Sequence, residues 1–128
     1  MITEITEDYV SFETAKLLKE KEFDEATIGY YPIVGKAKET FHKGAAYRWN
    51  YFSDRGIAAP TLQMATKWLR EDYNMHIEVR YFPMPDIYRY VIIHSPATFE
   101  NIDSHPQYFN TYEEACEEAI KYCLENLI

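Results

Sequence analysis

Three stretches of the chain repeat apolar residues at helical spacing: residues 11–21, 61–73 and 111–127. The first begins with Ser11, a favourable N-cap, and the third begins with Thr111, which stands three residues before a glutamate in a capping-box pattern. The apolar stripe of the third stretch comprises Tyr112, Cys116, Ala119, Cys123 and Leu127. Mostly acidic residues occupy the other side of that stretch. The pattern therefore predicts three amphipathic helices.

Four other stretches are rich in β-prone residues or alternate apolar with polar residues, and they fall into two pairs. Residues 27–31 and 45–52 flank a segment with a proline and two glycines, which predicts a hairpin with a long loop. Residues 75–82 and 87–94 flank a Pro-Met-Pro-Asp turn, which predicts a second hairpin. Residues 95–110 show no periodicity, so we expect a long loop or an irregular edge there.

The predicted order of elements is α-β-β-α-β-β-α, which is typical of a single α+β domain over residues 1–128. We expect one antiparallel sheet of about four strands, built from the two hairpins, with three helices mainly on one face. The strand residues expected to be buried are Ile77, Val79, Val91 and Ile93. Residues 16–20 resemble 67–71, and residues 47–49 resemble 88–90. The α-β-β unit is therefore either an internal duplication or the ordinary recurrence of such elements in α+β domains.

We expect one folded core and a cytoplasmic location. Of the 128 residues, 47% are hydrophobic and 16% aromatic, which gives enough apolar surface to offset the entropy cost of folding. No stretch has the length of a membrane span, and the N-terminal residues lack a signal-peptide pattern. Cys116 and Cys123 are about 10 Å apart along one predicted helix, which is too far for a disulfide. We expect both thiols to be reduced and buried.

The charge is unevenly distributed along the chain. The formal net charge of -8 argues against a general nucleic-acid-binding protein, because phosphate neutralisation needs a basic surface. Residues 32–55 are locally positive, and alternation in the predicted strand places Tyr47, Trp49 and Tyr51 on one face. The candidate partner-binding residues are Lys36, Lys38, Lys43, Arg48, Trp49, Tyr51 and Arg55. The alternative interpretation is a buried strand beside a solvated loop.

The sequence contains no recognisable catalytic or cofactor motif. The four glycines are scattered and form no phosphate-binding loop. The four histidines lack the spacing that holds a metal on one face of a helix or strand, although His94, Asp103 and His105 could meet in the predicted loop. We therefore expect no cofactor and no enzymatic activity.

Three segments resemble parts of small uncharacterised proteins from phages and prophages of gut Bacteroidetes. They are residues 13–21, residues 60–71 and residues 111–128, about a third of the chain and mostly helical. Glu22 departs from the pattern, since such helices more often carry a glycine before the phenylalanine. The resemblance implies a small accessory protein that acts through protein contacts, and it carries no catalytic residue.

We interpret the sequence as a non-enzymatic interaction module whose partner is a host or phage protein, or a second copy in a homodimer. One alternative is an acidic factor that competes with nucleic acid for a basic protein surface, as the net charge and the glutamates of the last helix indicate. A more distant alternative is a small metal-dependent hydrolase that uses the loop histidines.

Overall fold

Helices and strands alternate along the chain in a computed structural model, which describes residues 5–100 and 108–128. The elements are α1 (Phe12–Glu20), β1 (Thr27–Pro32), β2 (His42–Tyr47), α2 (Trp49–Phe52), β3 (Gly56–Ala58), α3 (Leu62–Tyr73), β4 (His76–Phe82), β5 (Ile87–His94), β6 (Ala97–Glu100) and α4 (Tyr112–Tyr122). A π-helical turn, Cys123–Leu127, continues α4. This is an α+β fold, as predicted.

The three predicted helices are confirmed, and a hydroxyl side chain caps each of them. The Oγ of Ser11 accepts a hydrogen bond from the amide of Thr14, and Thr111 accepts one from Glu114. Thr61 caps α3 in the same way. These bonds satisfy amides that the first helical turn leaves without a partner. The helix starts are therefore set by local sequence.

The described strands form two antiparallel sheets of three strands each, with orders β2-β1-β3 and β4-β5-β6. Both predicted hairpins are confirmed, but the prediction of one four-stranded sheet is wrong, because the hairpins lie in separate sheets. Each sheet also has a short third strand, β3 or β6, that the sequence did not predict. β3 has three residues and β6 has four, too few to show a period of two. β6 lies in the predicted loop 95–110, of which residues 101–107 are outside the described residues.

The predicted strand 45–52 ends early. β2 stops at Tyr47, and the next residues form the single helical turn α2. The side chain of Asn50 fixes this turn, since its Nδ2 donates to the carbonyl of Phe23 at 2.8 Å and its Oδ1 accepts from the amide of Ala58 at 3.0 Å. Tertiary contacts thus override local β-propensity. Tyr47, Trp49 and Tyr51 do not share a strand face.

One hydrophobic cluster joins the two halves of the described chain. Its largest fully buried side chains are Phe23, Leu18, Leu69, Met75, Ile92, Ile120, Leu124 and Val10. α1 packs against β3 and α4, while α3 and α4 pack on β4. Cys116 and Cys123 are free and buried in this cluster, as predicted, whereas Tyr112 at the start of the predicted stripe is exposed.

The expected phase of β5 is wrong. Ile77 pairs with Ile92 and Val79 pairs with Tyr90, so these four side chains face the core together. Val91 and Ile93 therefore lie on the opposite face, where Val91 is nevertheless buried and Ile93 is half-buried. The reason is that residues 90–93 of β5 are apolar on both faces, so alternation does not show which face is buried.

The two sheets differ in topology. The first strand of the hairpin, β1, is central in one sheet, whereas the second strand of the hairpin, β5, is central in the other. Two copies of one unit should place the same strand at the centre of each sheet, so the strand orders do not favour an internal duplication, which stays a prediction.

Candidate functional site

Six side chains on and beside the first hairpin form a contiguous patch that we call the aromatic–arginine surface. It comprises Tyr30, Tyr47, Arg48, Trp49, Tyr51 and Phe52. Tyr30 of β1 stacks on Trp49, with ring centroids 4.1 Å apart and planes 18° from parallel. Tyr47 meets Trp49 edge to face at 5.0 Å, and Tyr51 meets Phe52 in the same manner at 4.7 Å. These contacts hold the rings in place without covering them.

The outer rings of this surface are open to solvent. Tyr51 is 65% exposed, Phe52 is 59% exposed and Tyr47 is 41% exposed. Isolated exposed apolar residues are ordinary, but a contiguous group marks an interaction site. Aromatic rings also contribute strongly to binding energy when a partner removes them from water.

Arg48 lies over two of these rings. Its guanidinium carbon is 4.4 Å from the centroid of Tyr51 and 5.3 Å from that of Phe52. Arg48 also pairs with the carboxylate of Asp24, and its Nε donates to the Asp24 carbonyl at 3.2 Å. The hydrogen bond to Asp24 raises the pKa of Arg48 above its usual value. Arg48 is therefore held as a permanent cation on the aromatic rings.

Trp49 is half-buried and lies beneath the exposed rings of the surface. Its ring lies over Gly56 of β3, where an added Cβ would come within 2.9 Å of the indole. Its Nε1 is buried and has no hydrogen-bond partner in the described part of the chain. A buried donor without an acceptor costs about 1–3 kcal/mol. The stacking on Tyr30 keeps Trp49 in this position against that cost.

β2 borders the surface and is the outer strand of its sheet. Only β1 pairs with it among the described strands, and Lys43–Tyr47 are exposed on both faces. An edge strand of this kind presents free amides and carbonyls to which another chain can bind. Its pairing with β1 is irregular between Thr27 and Gly29, and this bulge and Lys43 limit nonspecific edge-to-edge pairing.

The structure brings together three of the seven predicted partner-binding residues, Arg48, Trp49 and Tyr51. Lys36 and Lys38 lie in the exposed turn after β1, at the end of the hairpin opposite to Tyr47. Arg55 is exposed near that turn, since its carbonyl accepts from the amide of Ile33 at 2.9 Å.

Lys43 points to the other face of the sheet, where its Nζ lies 5.9 Å from the centroid of Tyr9. Tyr30, Tyr47 and Phe52 belong to the aromatic–arginine surface but were not among the predicted site residues. Tyr47 and Phe52 lie in the same aromatic run and could have been included. Tyr30 could be assigned only once its pairing with β2 was known, because it is 19 positions from Trp49.

A second feature is an acidic cleft of about 390 Å³ between the N-terminal segment and α4. Its charged lining residues are Asp8, Glu113, Glu114, Glu117 and Glu118. Glu117 accepts a hydrogen bond from the amide of Ser11 at 2.6 Å, and burial raises the pKa of its carboxyl. The hydrogen bond ties α4 to the cap of α1.

The described residues offer little to catalytic or metal chemistry. The proposed ligands Asp103 and His105 lie outside the described residues, and no group of three or more possible ligands occurs within them. Burial raises the pKa of both Cys116 and Cys123 to about 12, so neither is activated as a nucleophile.

Comparisons with known proteins add no relative. Models of protein families, curated protein sequences and solved structures all give no match to this chain. Within residues 5–100 and 108–128, no helix is long and apolar enough to cross a membrane. The candidate function is therefore inferred from the surface contacts of this chain.

Proposed function

We propose that this protein is a small, non-enzymatic accessory protein of phage or prophage type that acts in the cytoplasm through protein–protein contacts. It binds an extended acidic segment of a partner protein along β2 and over the aromatic–arginine surface. The observation that carries this proposal is the contiguous exposed cluster of Tyr47, Arg48, Tyr51 and Phe52 beside β2, whose outer edge is not paired by any described strand.

The edge strand supports an extended partner. A segment that adds to β2 gains main-chain hydrogen bonds, and alternate side chains of the segment reach the sheet faces. β2 contributes mostly small side chains, from Gly44 to Ala46, so little side-chain bulk hinders a new strand. Tyr47 and α2 stand at one end of β2, where they can anchor an apolar residue of the partner.

Charge supports an acidic partner. Five of the 13 Lys and Arg residues, but only two of the 21 Asp and Glu residues, lie within residues 32–55. Most of these cations lie at the hairpin turn or on the other face of the sheet, so they attract an acidic segment over a distance rather than by contact. The Nη1 of Arg48 makes no hydrogen bond in the described part of the chain, so it can donate to a carboxylate of the partner.

The proposal is tested by selecting peptides from a library of extended segments that combine apolar residues with either acidic or basic ones. We expect acidic segments to be enriched and to shift the backbone amide signals of His42–Phe52 in NMR titrations. The variant Phe52→Ala should weaken binding about tenfold, in the range for losing an exposed anchor at an interface.

Tyr112→Ala is the matched control, because Tyr112 is also an exposed aromatic but lies on α4, and it should bind like the wild type. Enrichment of basic segments, or shifts confined to α4, would contradict the proposal. If the wild-type protein associates with itself and Phe52→Ala abolishes this, the partner is a second copy of this chain rather than another protein.

The acidic cleft favours a second candidate function. Five carboxylates along one cleft are suited to bind a basic protein surface. The protein would then compete with nucleic acid for that surface. If this is the function, Glu114→Gln with Glu118→Gln should weaken binding to a basic DNA-binding protein and reduce its salt dependence. Phe52→Ala should have no effect on that binding.

A further inference from the structure

We infer that the acidic partner segment is the N-terminal segment of a second copy of this chain, and that its Ile5 fills an apolar cleft beside β2. This inference rests on the proposed function, because it names the partner that adds to β2. The cleft has a volume of about 240 Å³ and is bordered by β1, β2 and the start of α3. Its apolar lining residues are Tyr9, Ala26, Ile28, Ala46, Ala59, Pro60 and Met64.

The cleft opens on the face of β2 opposite to the aromatic–arginine surface. Ala46 lines the cleft, whereas Tyr47, the next residue, contacts Trp49 on that surface. Adjacent residues of a strand point to opposite faces, so a segment paired with the outer edge of β2 sends one side chain to each site in turn. Ile28 is 43% exposed and Met64 is 37% exposed, so both can bury apolar surface against an aliphatic side chain in the cleft.

The first residues of the chain have the composition that this site requires. Residues 2–7 read Ile-Thr-Glu-Ile-Thr-Glu, a triplet of two β-branched residues and one carboxylate that occurs twice. Ile5 is 97% exposed, more than any other large apolar side chain of the described residues. The backbone of residues 5–7 lies outside the helices and strands and makes no hydrogen bond within the described part of the chain. The segment thus offers both an apolar side chain and backbone groups to a sheet edge.

Charge favours antiparallel pairing of this segment with β2. The first 15 residues of the chain contain four carboxylates and no lysine or arginine. Lys43 stands near the start of β2, with its side chain on the cleft side of the sheet, and Arg48 follows the end of β2. Antiparallel pairing with Ile5 in the cleft brings Glu7 toward the lysine and Glu4 toward the arginine. Opposite charges on neighbouring strands attract, so this orientation is favoured over the parallel one.

The geometry of the segment points to a second copy rather than to docking within one chain. Glu7 lies at the rim of its own cleft, but Ile5, two residues earlier, is exposed rather than buried in that cleft. The carbonyl of Asp8 accepts from the amide of Leu62 at 2.9 Å and ties the segment to the start of α3. Because each segment begins beside its own cleft, two copies that face each other across these clefts can exchange segments. Such a contact is made twice in a symmetric dimer.

The test is sedimentation of the full chain over a range of protein concentrations. We expect a dimer whose dissociation constant rises about tenfold in Ile5→Asp, the range for losing an apolar anchor at an interface. This variant keeps the segment acidic, so the loss reports the cleft contact rather than the charge. Met84→Asp is the matched control, because Met84 is 89% exposed in the turn between β4 and β5, and it should dimerise like the wild type. Equal losses in the two variants would overturn the inference.

A mixing experiment separates exchange between copies from docking within one chain. Met64→Asp alters the cleft and leaves the segment intact, so by itself it should dimerise as weakly as Ile5→Asp. An equimolar mixture of the two variants should restore part of the association, because the intact segment of one variant meets the intact cleft of the other. A mixture that associates no better than either variant alone, or burial of Ile5 in the monomer, would overturn the inference.

A peptide of residues 1–9 distinguishes failure of this inference from failure of the proposed function. Added to the Ile5→Asp protein, the peptide should shift the backbone amide signals of His42–Tyr47. If acidic segments from the library shift these signals and the peptide does not, the partner is another protein and only this inference fails. If neither shifts them, the proposed function fails as well.

Discussion

Two regions of the molecule use aromatic residues in opposite ways. In α2, beside the first sheet, Tyr51 and Phe52 meet edge to face at 4.7 Å and both remain exposed. In the core shared by the two halves, Phe23 and Trp68 meet with a similar geometry at 5.4 Å and both are buried. The same edge-to-face contact between rings therefore stabilises the core in one region and forms part of an exposed surface in the other. What differs is whether helices cover the rings.

Whether helices cover a face determines how much a substitution there destabilises the protein. α3 and α4 seal the inner face of the second sheet, so a substitution there leaves a cavity or a buried polar group. No described helix larger than the single turn α2 lies on the outer face of the first sheet next to Tyr30. That face can vary with little loss of stability, which is the condition for a surface that evolves for binding.

The largest expected effect belongs to the sealed region. Cys123→Asp should destabilise the protein by about 3–5 kcal/mol, because it places a carboxylate without a partner in a fully buried position of the core. Chemical denaturation followed by circular dichroism measures the loss. Asn126→Asp adds the same charge at an exposed position three residues later and should change stability by less than about 0.5 kcal/mol. Equal losses of stability in the two variants would show that the end of α4 is not part of the core.

Two glycines on the paired strands of the first hairpin, Gly29 of β1 and Gly44 of β2, extend the comparison to a single sheet. A Cβ at Gly29 would lie 2.5 Å from the carbonyl oxygen of Ala59 and 2.8 Å from the ring of Phe41. Gly29→Ala should therefore cost about 2–3 kcal/mol through overpacking against backbone. Gly44→Ala meets only Tyr30 at 3.7 Å and should stabilise β2 by about 0.5 kcal/mol. Thermal unfolding of the two variants measures these changes in stability. A Gly29→Ala protein as stable as the wild type would show that β1 does not pack as described.

Trp49 lies between the two regions, since it is half-buried and supports exposed rings. Trp49→Ala should cost about 2 kcal/mol, less than a fully buried aromatic but more than a surface residue, because it removes the stacking on Tyr30. Tyr51→Ala, which removes an exposed ring, should cost less than about 0.5 kcal/mol. Urea unfolding monitored by tyrosine fluorescence compares the two variants. Equal losses would mean that Trp49 contributes nothing beyond an ordinary surface contact.

The helices and the second hairpin could be predicted because their signals are local. Caps at Ser11 and Thr111 and apolar residues at helical spacing need no knowledge of the fold. The boundary between β2 and α2 could not, because Tyr, Trp and Phe favour a strand and only the contacts of Asn50 with Phe23 and Ala58 select a helical turn. The prediction of which face of β5 is buried failed for a related reason, since residues 90–93 are apolar on both faces.

The candidate site shows the same limit. Arg48, Trp49 and Tyr51 were predicted because they are neighbours in sequence and remain neighbours on the aromatic–arginine surface. The lysines of the same basic stretch separate from them, because the hairpin places its turn and its open end far apart. Tyr30 joins the surface through strand pairing, a long-range contact that local patterns do not contain. Charge counted along the sequence is therefore a poor guide to charge clustered in space.

The smallest expected effect on stability, and the most informative about function, is charge reversal at Lys36, Lys38 and Lys43. All three are exposed, and none forms an ion pair among the described residues, so the triple change to Glu should alter stability by less than about 0.5 kcal/mol. Association with an acidic segment should nevertheless slow by about tenfold at low salt, because these charges steer the encounter rather than hold the complex.

The matched control reverses Lys16, Lys67 and Arg70, which are exposed on α1 and α3, and thereby changes the net charge equally. At low salt, where the Debye length reaches about 30 Å, the control also slows association through the net charge. At physiological salt, screening beyond about 8 Å limits its effect on the hairpin to a few-fold. Stopped-flow association rates at two salt concentrations separate the two triples. Unchanged association in the hairpin triple, together with an unfolded Trp49→Ala protein, would leave the aromatic–arginine surface with a structural role only. The acidic cleft beside α4 would then be the stronger candidate for partner binding.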